Sequence, residues 1–454
     1  MNATIVVREY GPAVPITLTK EQREGLIVTS NVWKKTLGLA DPPLVIEQQA
    51  GEYTLRAQQV AGTIRVGSIN IEIAPKFVDP QSSADWRQAF WQILIVASEG
   101  RSIFSGAQGS DAKALSIADL LAEVFLNSYS RGSLRGMPLQ YSEQRDTSTT
   151  PKGNFDVHRL GEWMISPWRV PTVSDVLTDN TPVARLLGWA AWQLKSLVRR
   201  PSRARSLDKV AHELSGIGNV PSLMEAERLT LGVQHDALRQ ALDVAIMLLR
   251  GHGITHGEGD RDVIGFLWKT EDVYERFLFW LCQRAAQQRG LSVMKKQAQF
   301  ATSERDGALT TTPDAIFRTP GGTFMAVLDA KYKNLNSSPK AADSYQVLTA
   351  ANTFGCERVG LVYPTNTPRT EKKWTAPSAL GGRTVEISAV FIDPCLAATP
   401  AGMRSLIAVI ETWLAGLDLQ ARRRQDLEFP SASPTYGGTD PTLLTSDDCA
   451  QPGN

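Results

Sequence analysis

Apolar and polar positions follow three successive rhythms along the chain. Over residues 1–80 they alternate in short runs, at 5–8, 53–60, 63–66 and 69–73, separated by Gly51, Gly62 and Gly67. Alternation puts successive side chains on opposite faces of a strand, so this stretch predicts a β-rich module, interrupted by one helical segment at 20–38. Over 83–130 and 180–250 the spacing changes to threes and fours, as in Leu186, Leu187, Ala190, Ala191, Leu194 and Leu197, which predicts helices with one buried stripe. Trp192 and its neighbours are expected to join that core. Residues 131–170, rich in Arg, Gly, Ser and Thr, predict irregular chain.

From Thr270 the rhythms mix. A helix is expected over 271–288, stopping before Gly290, then strands near 291–300, 312–318 and 323–331. A helix at 341–353, strands at 358–363 and 384–392 and a last helix at 403–417 follow. The order α-β-β-β-α-β implies hairpin strands first and a parallel crossover after them. Pro430 to Asn454 holds 14 Pro, Ser, Thr or Gly and no Lys or Arg, the composition of a disordered tail. The expected layout is multidomain α+β. It has a β-rich module at 1–80, a mainly helical middle region with an irregular basic segment at 81–260, an α/β domain at 261–426 and a tail at 427–454.

Composition narrows the classes. The chain has 454 residues, enough for roughly three domains, and its 42% hydrophobic and 21% charged content excludes wholesale disorder. No apolar run approaches the ~18 residues that span a bilayer, and the N-terminus reads as a strand rather than a signal peptide. A cytoplasmic protein with no membrane contact is expected. Cys282, Cys356, Cys395 and Cys449 are scattered, so neither a disulfide framework nor a zinc site is predicted. His252 and His256 are four apart, but Gly251, Gly253 and Gly257 around them predict a linker rather than a metal-binding helix.

The chemistry concentrates in Pro313-Asp314, two apolar runs flanking Gly321-Gly322, and Asp329-Ala330-Lys331. A two-residue Gly-Gly loop suits a tight hairpin turn. In that register Asp314 lies directly opposite Asp329, with Cβ atoms ~4.5–5.5 Å apart, and Lys331 projects from the same face. Two such carboxylates repel each other unless a cation sits between them, and oxygen ligands with open positions favour Mg²⁺ or Mn²⁺. With a lysine beside them, this is equipment for phosphodiester hydrolysis. The acid-x-Lys pattern alone is cheap, recurring at Asp111-Ala112-Lys113 and Glu371-Lys372-Lys373. Only the pattern ending at Lys331 has a second acid in register.

Pro-Asp, a hairpin and Asp-x-Lys resemble the signature of the PD-(D/E)xK nucleases, and the order of elements resembles their restriction-endonuclease-like core. The resemblance implies that Asp314, Asp329 and the Ala330 carbonyl bind metal and that Lys331 acts at the attacking water. It also implies a further acid on the preceding helix, for which Glu275 is the candidate, and a glutamine on the following one, Gln346. Tyr345 is expected in the core or lining a groove.

A narrower resemblance runs over about residues 1–395. Gly62 to Lys76, ending Ala74-Pro75-Lys76, the segment Leu177 to Leu187, Asp343-x-Tyr345-Gln346 and Leu361-Val362-Tyr363-Pro364 resemble McrC, the nuclease subunit family of McrBC-type modification-dependent restriction systems. Ala184 departs from the family's usual Asn. The resemblance implies a DNA endonuclease subunit that docks through its N-terminal part on a McrB-like AAA+ GTPase ring, stimulates NTP hydrolysis and cuts double-stranded, modified DNA. No GxxxxGK[ST] motif is present, so the motor and the base reader would be the partner. The alternatives are a stand-alone repair or recombination nuclease and a non-catalytic activator of an NTPase ring.

Charge fits this picture. The net +1 includes −3 from Asp440, Asp447 and Asp448 in the tail, hence +4 elsewhere. Lys195, Arg199, Arg200, Arg203, Arg205 and Lys209 form a basic segment that can meet phosphates or an acidic partner, and Lys295 and Lys296 precede the candidate site. Arg422 to Arg424 follow the last predicted helix.

Overall fold

The computed structural model describes residues 4–49, 52–78, 86–99, 116–216, 218–250, 263–303, 307–335, 337–377 and 384–428. The chain divides into two compact units, Met1–Glu411 and Thr412–Asn454. The predicted tail from 429, the His252 and His256 segment and the Arg422 to Arg424 side chains lie outside the described residues.

The N-terminal part of the first unit runs β1 (Thr4–Arg8), β2 (Val14–Pro15), α1 (Lys20–Thr36), β3 (Leu44–Gln49), β4 (Glu52–Ala57), β5 (Val60–Val66) and β6 (Ile69–Ala74). Thr19 opens α1 with a reciprocal capping box to Gln22, and the helix buries Leu26 and Trp33 in a core with Leu55, Ile64 and Ile71. The middle comprises α2 (Trp86–Glu99), α3 (Ile117–Ser133), β7 (Gln140–Ser148), β8 (Asn154–Phe155), α4 (Leu160–Ile165), β9 (Val170–Thr178), α5 (Pro182–Leu197), α6 (Pro201–Glu213), α7 (Leu223–Ala226) and α8 (Arg239–Arg250). The remainder is β10 (Val263–Lys269), α9 (Thr270–Gln288), β11 (Ser292–Met294), β12 (Ala298–Ser303), β13 (Gly307–Thr311), β14 (Ala315–Arg318), β15 (Phe324–Ala330), α10 (Ala341–Phe354), β16 (Arg358–Pro364), β17 (Lys372–Pro377), β18 (Thr384–Ile392) and α11 (Pro400–Glu428). Among the described residues no helix is long and apolar enough to cross a membrane.

Several expectations change. Residues 131–170 are not irregular. β7 and β9 form an antiparallel ladder from Gln140↔Thr178 to Ser148↔Val170, with β8 on the other edge of β9. β7 is polar on both faces and mostly exposed, so no contrast between faces marks it in the sequence. Trp192 is 52% exposed, because the buried stripe of α5 is Leu186, Leu187, Ala190, Ala191 and Leu194. The single strand expected over 291–300 is two, β11 and β12. α11 continues to Glu428, so residues 427 and 428 are helical rather than tail. The basic segment is largely neutralised within the chain: Lys195 pairs with Asp208 at 2.5 Å, Arg203 with Glu123 at 2.7 Å and Arg199 with the buried Glu72 at 3.3 Å.

β10 was not predicted. It pairs antiparallel with β5 along its whole length, Val263↔Val66 to Lys269↔Val60, and completes the sheet β1-β6-β5-β10. The first turn of α9 therefore starts from a strand of the N-terminal sheet. The second large sheet has the order β11-β14-β15-β16-β18-β17, with β15, β16 and β18 mutually parallel. α10 is the crossover between β15 and β16 and buries Val347, Ala350, Ala351 and Phe354 against the sheet.

Candidate active site

The hairpin β14–β15 keeps the expected register through its body: Ala315 faces Leu328, Ile316 faces Val327 and Phe317 faces Ala326. Its turn differs from the expected two-residue loop. Thr319 N–H donates to the Thr323 carbonyl at 2.9 Å, which leaves a three-residue loop, Pro320-Gly321-Gly322, with Gly322 at φ +95°. Arg318 then faces Phe324, and the extra residue Met325 is absorbed as a bulge. The bulge restores the register before it reaches the aspartates.

Asp314 precedes β14 and Asp329 lies at the far end of β15. One Asp314 oxygen accepts the Ala330 N–H at 2.8 Å, which locks the start of one strand to the end of the other. Asp314, Asp329, Ala330, Lys331, Gln346 and Glu275, all named from sequence, line one cavity of about 500 Å³. It opens beyond the carboxyl end of β15, between the first turns of α9 and α10, where ligand sites form in sheets with parallel strands. Tyr345, one residue before Gln346, is 67% exposed rather than buried.

Lys331 ties the site together. Its Nζ lies 2.5 Å from Asp329 Oδ2 and donates to Gln346 Oε1 at 2.8 Å, while Gln346 Nε2 donates to Asp329 Oδ1 at 3.4 Å. Lys295 Nζ stands 3.4 Å from Asp314 Oδ1 and 3.9 Å from Glu275 Oε2, between two acids that would otherwise repel. Burial pushes the Asp329 carboxyl up to about 6; Lys331 pulls it down and the Asp314 charge pushes it further up. Burial raises Glu275 to about 7, with the Asp314 charge adding and Lys295 opposing.

The residues missed from sequence as site members are Glu271, Thr312, Tyr332, Lys333 and Asp343, which also line the cavity. Asp343 is buried on the first turn of α10, 3.9 Å from Lys331 Nζ and in ion contact with Lys333. It lies three residues before Gln346, hence on the same helix face, which is the signal that could have found it.

The donor set fits a hard divalent cation. Asp329 is only 3% exposed, with the Lys331 ammonium 2.5 Å from its Oδ2, and it shares the cavity with a second acid, Asp314. Two carboxylates brought to one polar cavity are a ligand-like pair. Among the described residues no three His, Cys, Asp or Glu side chains converge as a ready ion cage. Two carboxylates and a backbone carbonyl are nevertheless the small protein share that Mg²⁺ takes when water and phosphate oxygens fill its other positions.

A family model described as "McrBC 5-methylcytosine restriction system component" matches residues 55–364. Among solved structures, a refined half-complex from the tetradecameric assembly of Thermococcus gammatolerans McrB AAA+ hexamers with bound McrC matches with a TM-score of 0.61 at 16% identity, covering 90% of this chain and 100% of that one. The cryo-EM structure of the Thermococcus gammatolerans McrBC complex matches with a TM-score of 0.45 at 16% identity, covering 62% of this chain and 88% of that one. The first likeness is one of fold. No curated protein matches.

Proposed function

The chain belongs to the family of McrBC 5-methylcytosine restriction system components, and from that premise we propose that it is the DNA-cleaving subunit of such a system, a Mg²⁺-dependent endodeoxyribonuclease of the PD-(D/E)xK type. The observation that carries the reading is the convergence of Asp314, Asp329, Lys331 and Gln346 in one polar cavity.

In this reading Asp314, Asp329 and the Ala330 carbonyl hold the cation, which when bound supplies Lewis acidity at a phosphodiester oxygen. The protein's own groups do the positioning. Gln346 and Asp329 hold the Lys331 ammonium beside the point of attack, where it orients water and offsets charge growing on the phosphoryl group. Glu275, raised to about 7, is poised to exchange a proton near neutral pH. Lys295 keeps Glu275 and Asp314 from repelling each other when both are ionised.

The partner in this reading is a McrB-like AAA+ GTPase ring, as the fold match to an McrC-bearing assembly supports. Docking was expected of residues 1–80. That module exposes Tyr10, Ile27 and Val28, and a second group of exposed apolar side chains lies on and beside the sheet β7-β9-β8, where Tyr141, Met164, Ile165 and Trp168 are each at least 68% exposed. Such a patch suits a protein interface, and we assign the ring contact to it.

The test is cleavage of plasmid carrying 5-methylcytosine, against unmethylated plasmid, with GTP and Mg²⁺, with and without the ring. Cutting of methylated plasmid only when the ring is present supports the proposal. Cutting by the chain alone, indifferent to methylation, would replace it with the stand-alone nuclease.

A further inference from the structure

Tyr332 directly follows the active-site lysine, at the point where the β15 ladder stops. Strand pairing to β16 ends at Ala330↔Val362, and the Lys331 N–H makes one more bond, to the Val362 carbonyl at 2.8 Å. Beyond that the backbone has no strand to hold it. Side chains take over. The Tyr332 hydroxyl donates to Glu9 Oε2 at 2.6 Å, and the Tyr332 carbonyl accepts from Lys76 Nζ. Lys76 Nζ also stands 3.9 Å over the Tyr332 ring, and Phe77 meets that ring edge-on at 5.9 Å.

Glu9 anchors the arrangement. It is 1% exposed. Its Oε1 accepts from Thr270 Oγ1 at 2.6 Å, and its Oε2 accepts the Lys76 N–H at 3.1 Å as well as the Tyr332 hydroxyl. Glu9 follows β1 and Lys76 follows β6, whereas Thr270 opens α9. A buried, fully donated carboxylate therefore joins the ends of two N-terminal strands, the first turn of the helix that carries Glu275, and the residue after Lys331. The Ala74-Pro75-Lys76 motif, unexplained by the cavity itself, finds its use here.

We propose that Glu9, Lys76 and Tyr332 form a positioning clamp through which the N-terminal module sets the backbone at Ala330 and Lys331. The proposal rests on the nuclease reading of the cavity. A lysine at the end of a four-carbon stem keeps its ammonium on Asp329 and Gln346 only if its Cα is fixed, and small displacements at such a site are expensive in rate. The clamp supplies that fixity where the ladder does not. In this account the N-terminal module is part of the nuclease, and 261–426 is not a self-sufficient one.

The full-length chain tests this as Tyr332→Phe and Glu9→Gln, with Asp329→Ala as the reference, in two assays. One is calorimetric Mn²⁺ binding to the chain alone. The other is steady-state plasmid cleavage with the AAA+ ring. Tyr332→Phe keeps the ring contacts and should stay folded, with kcat down about tenfold, KM for plasmid within about twofold of wild type and Mn²⁺ Kd weakened about threefold. Glu9→Gln should move kcat and Mn²⁺ affinity in the same direction; if it does not fold, Tyr332→Phe decides. A lowered melting temperature in Tyr332→Phe with kcat and Mn²⁺ Kd unchanged, while Asp329→Ala has lost both activities, would overturn the clamp and leave the nuclease reading standing. Wild-type Mn²⁺ binding and cutting by Asp329→Ala would overturn the nuclease reading, and the clamp with it.

Discussion

Asp329 and Glu9 are both buried acids with a lysine nearby, and burial raises both above the ordinary carboxylate range. They differ in what reaches their oxygens. Glu9 receives two hydroxyls and a backbone N–H at 2.6, 2.6 and 3.1 Å. Asp329 receives one long amide bond of 3.4 Å and the Lys331 ammonium at 2.5 Å, and it lines a cavity of about 500 Å³. A raised carboxyl therefore does not by itself mark a site. An acid sealed among donors of the fold reads as structural; one that opens on a polar cavity beside a second acid has room for a ligand.

The largest effect that sharpens this contrast is on rate. Lys331→Ala removes the ammonium that bridges Asp329 and Gln346, and cleavage should fall by about 10²–10⁴-fold with the fold intact. A loss below about tenfold in a single-turnover cleavage assay would mean that the lysine is not at the reacting phosphate.

Stability separates the two acids by pH. Asp329 has its carboxyl raised from 3.8 to about 6, so the folded chain holds that proton more tightly than the unfolded chain does. Its contribution is full below about pH 4 and is lost as pH rises through about 6. Metal-free Asp329→Asn should then be more stable than wild type at pH 8, by on the order of 2–3 kcal/mol, and no more stable at pH 4. Glu9→Gln places an amide N–H₂ where hydroxyl and backbone donors point, and should instead lower stability at pH 8 by about 1–3 kcal/mol. Urea unfolding at the two pH values checks both signs. Matching behaviour of the two variants would erase the distinction between them.

The smallest effect concerns Gln346. It holds the Lys331 ammonium through one hydrogen bond, so Gln346→Ala should cost about tenfold in kcat with little change in KM. A loss as large as that of Lys331→Ala would give the glutamine a direct part at the phosphate.

Legibility in the sequence followed locality. The β14–β15 register and the helix carrying Gln346 could be read because a hairpin and an amphipathic turn are set by neighbours. Even the misjudged loop did no harm, since the Met325 bulge compensated for it. The contact of Glu9 with Tyr332 spans 323 positions, and β10 pairs with a strand some two hundred residues earlier. No periodicity encodes either. β7 is not legible because its ladder to β9 is backbone bonding from a mostly exposed, polar strand, and Trp192 differs from expectation because a large aromatic on a helix need not lie on its buried stripe. The family's Ala74-Pro75-Lys76 stretch was visible as a motif, but its purpose became visible only when Lys76 was seen against Tyr332.

The central claim is that Asp329 belongs to a DNA-cutting site separable from any action on the ring. The most direct measurement follows Asp329→Ala with the AAA+ ring, GTP, Mg²⁺ and 5-methylcytosine plasmid, reading DNA cleavage and GTP hydrolysis in the same tube. The account predicts cleavage lost by at least about 10³-fold, with stimulated GTP hydrolysis within about twofold of wild type because Asp329 lies in the cavity and not on the exposed apolar patch. Undiminished cleavage by the variant would contradict it.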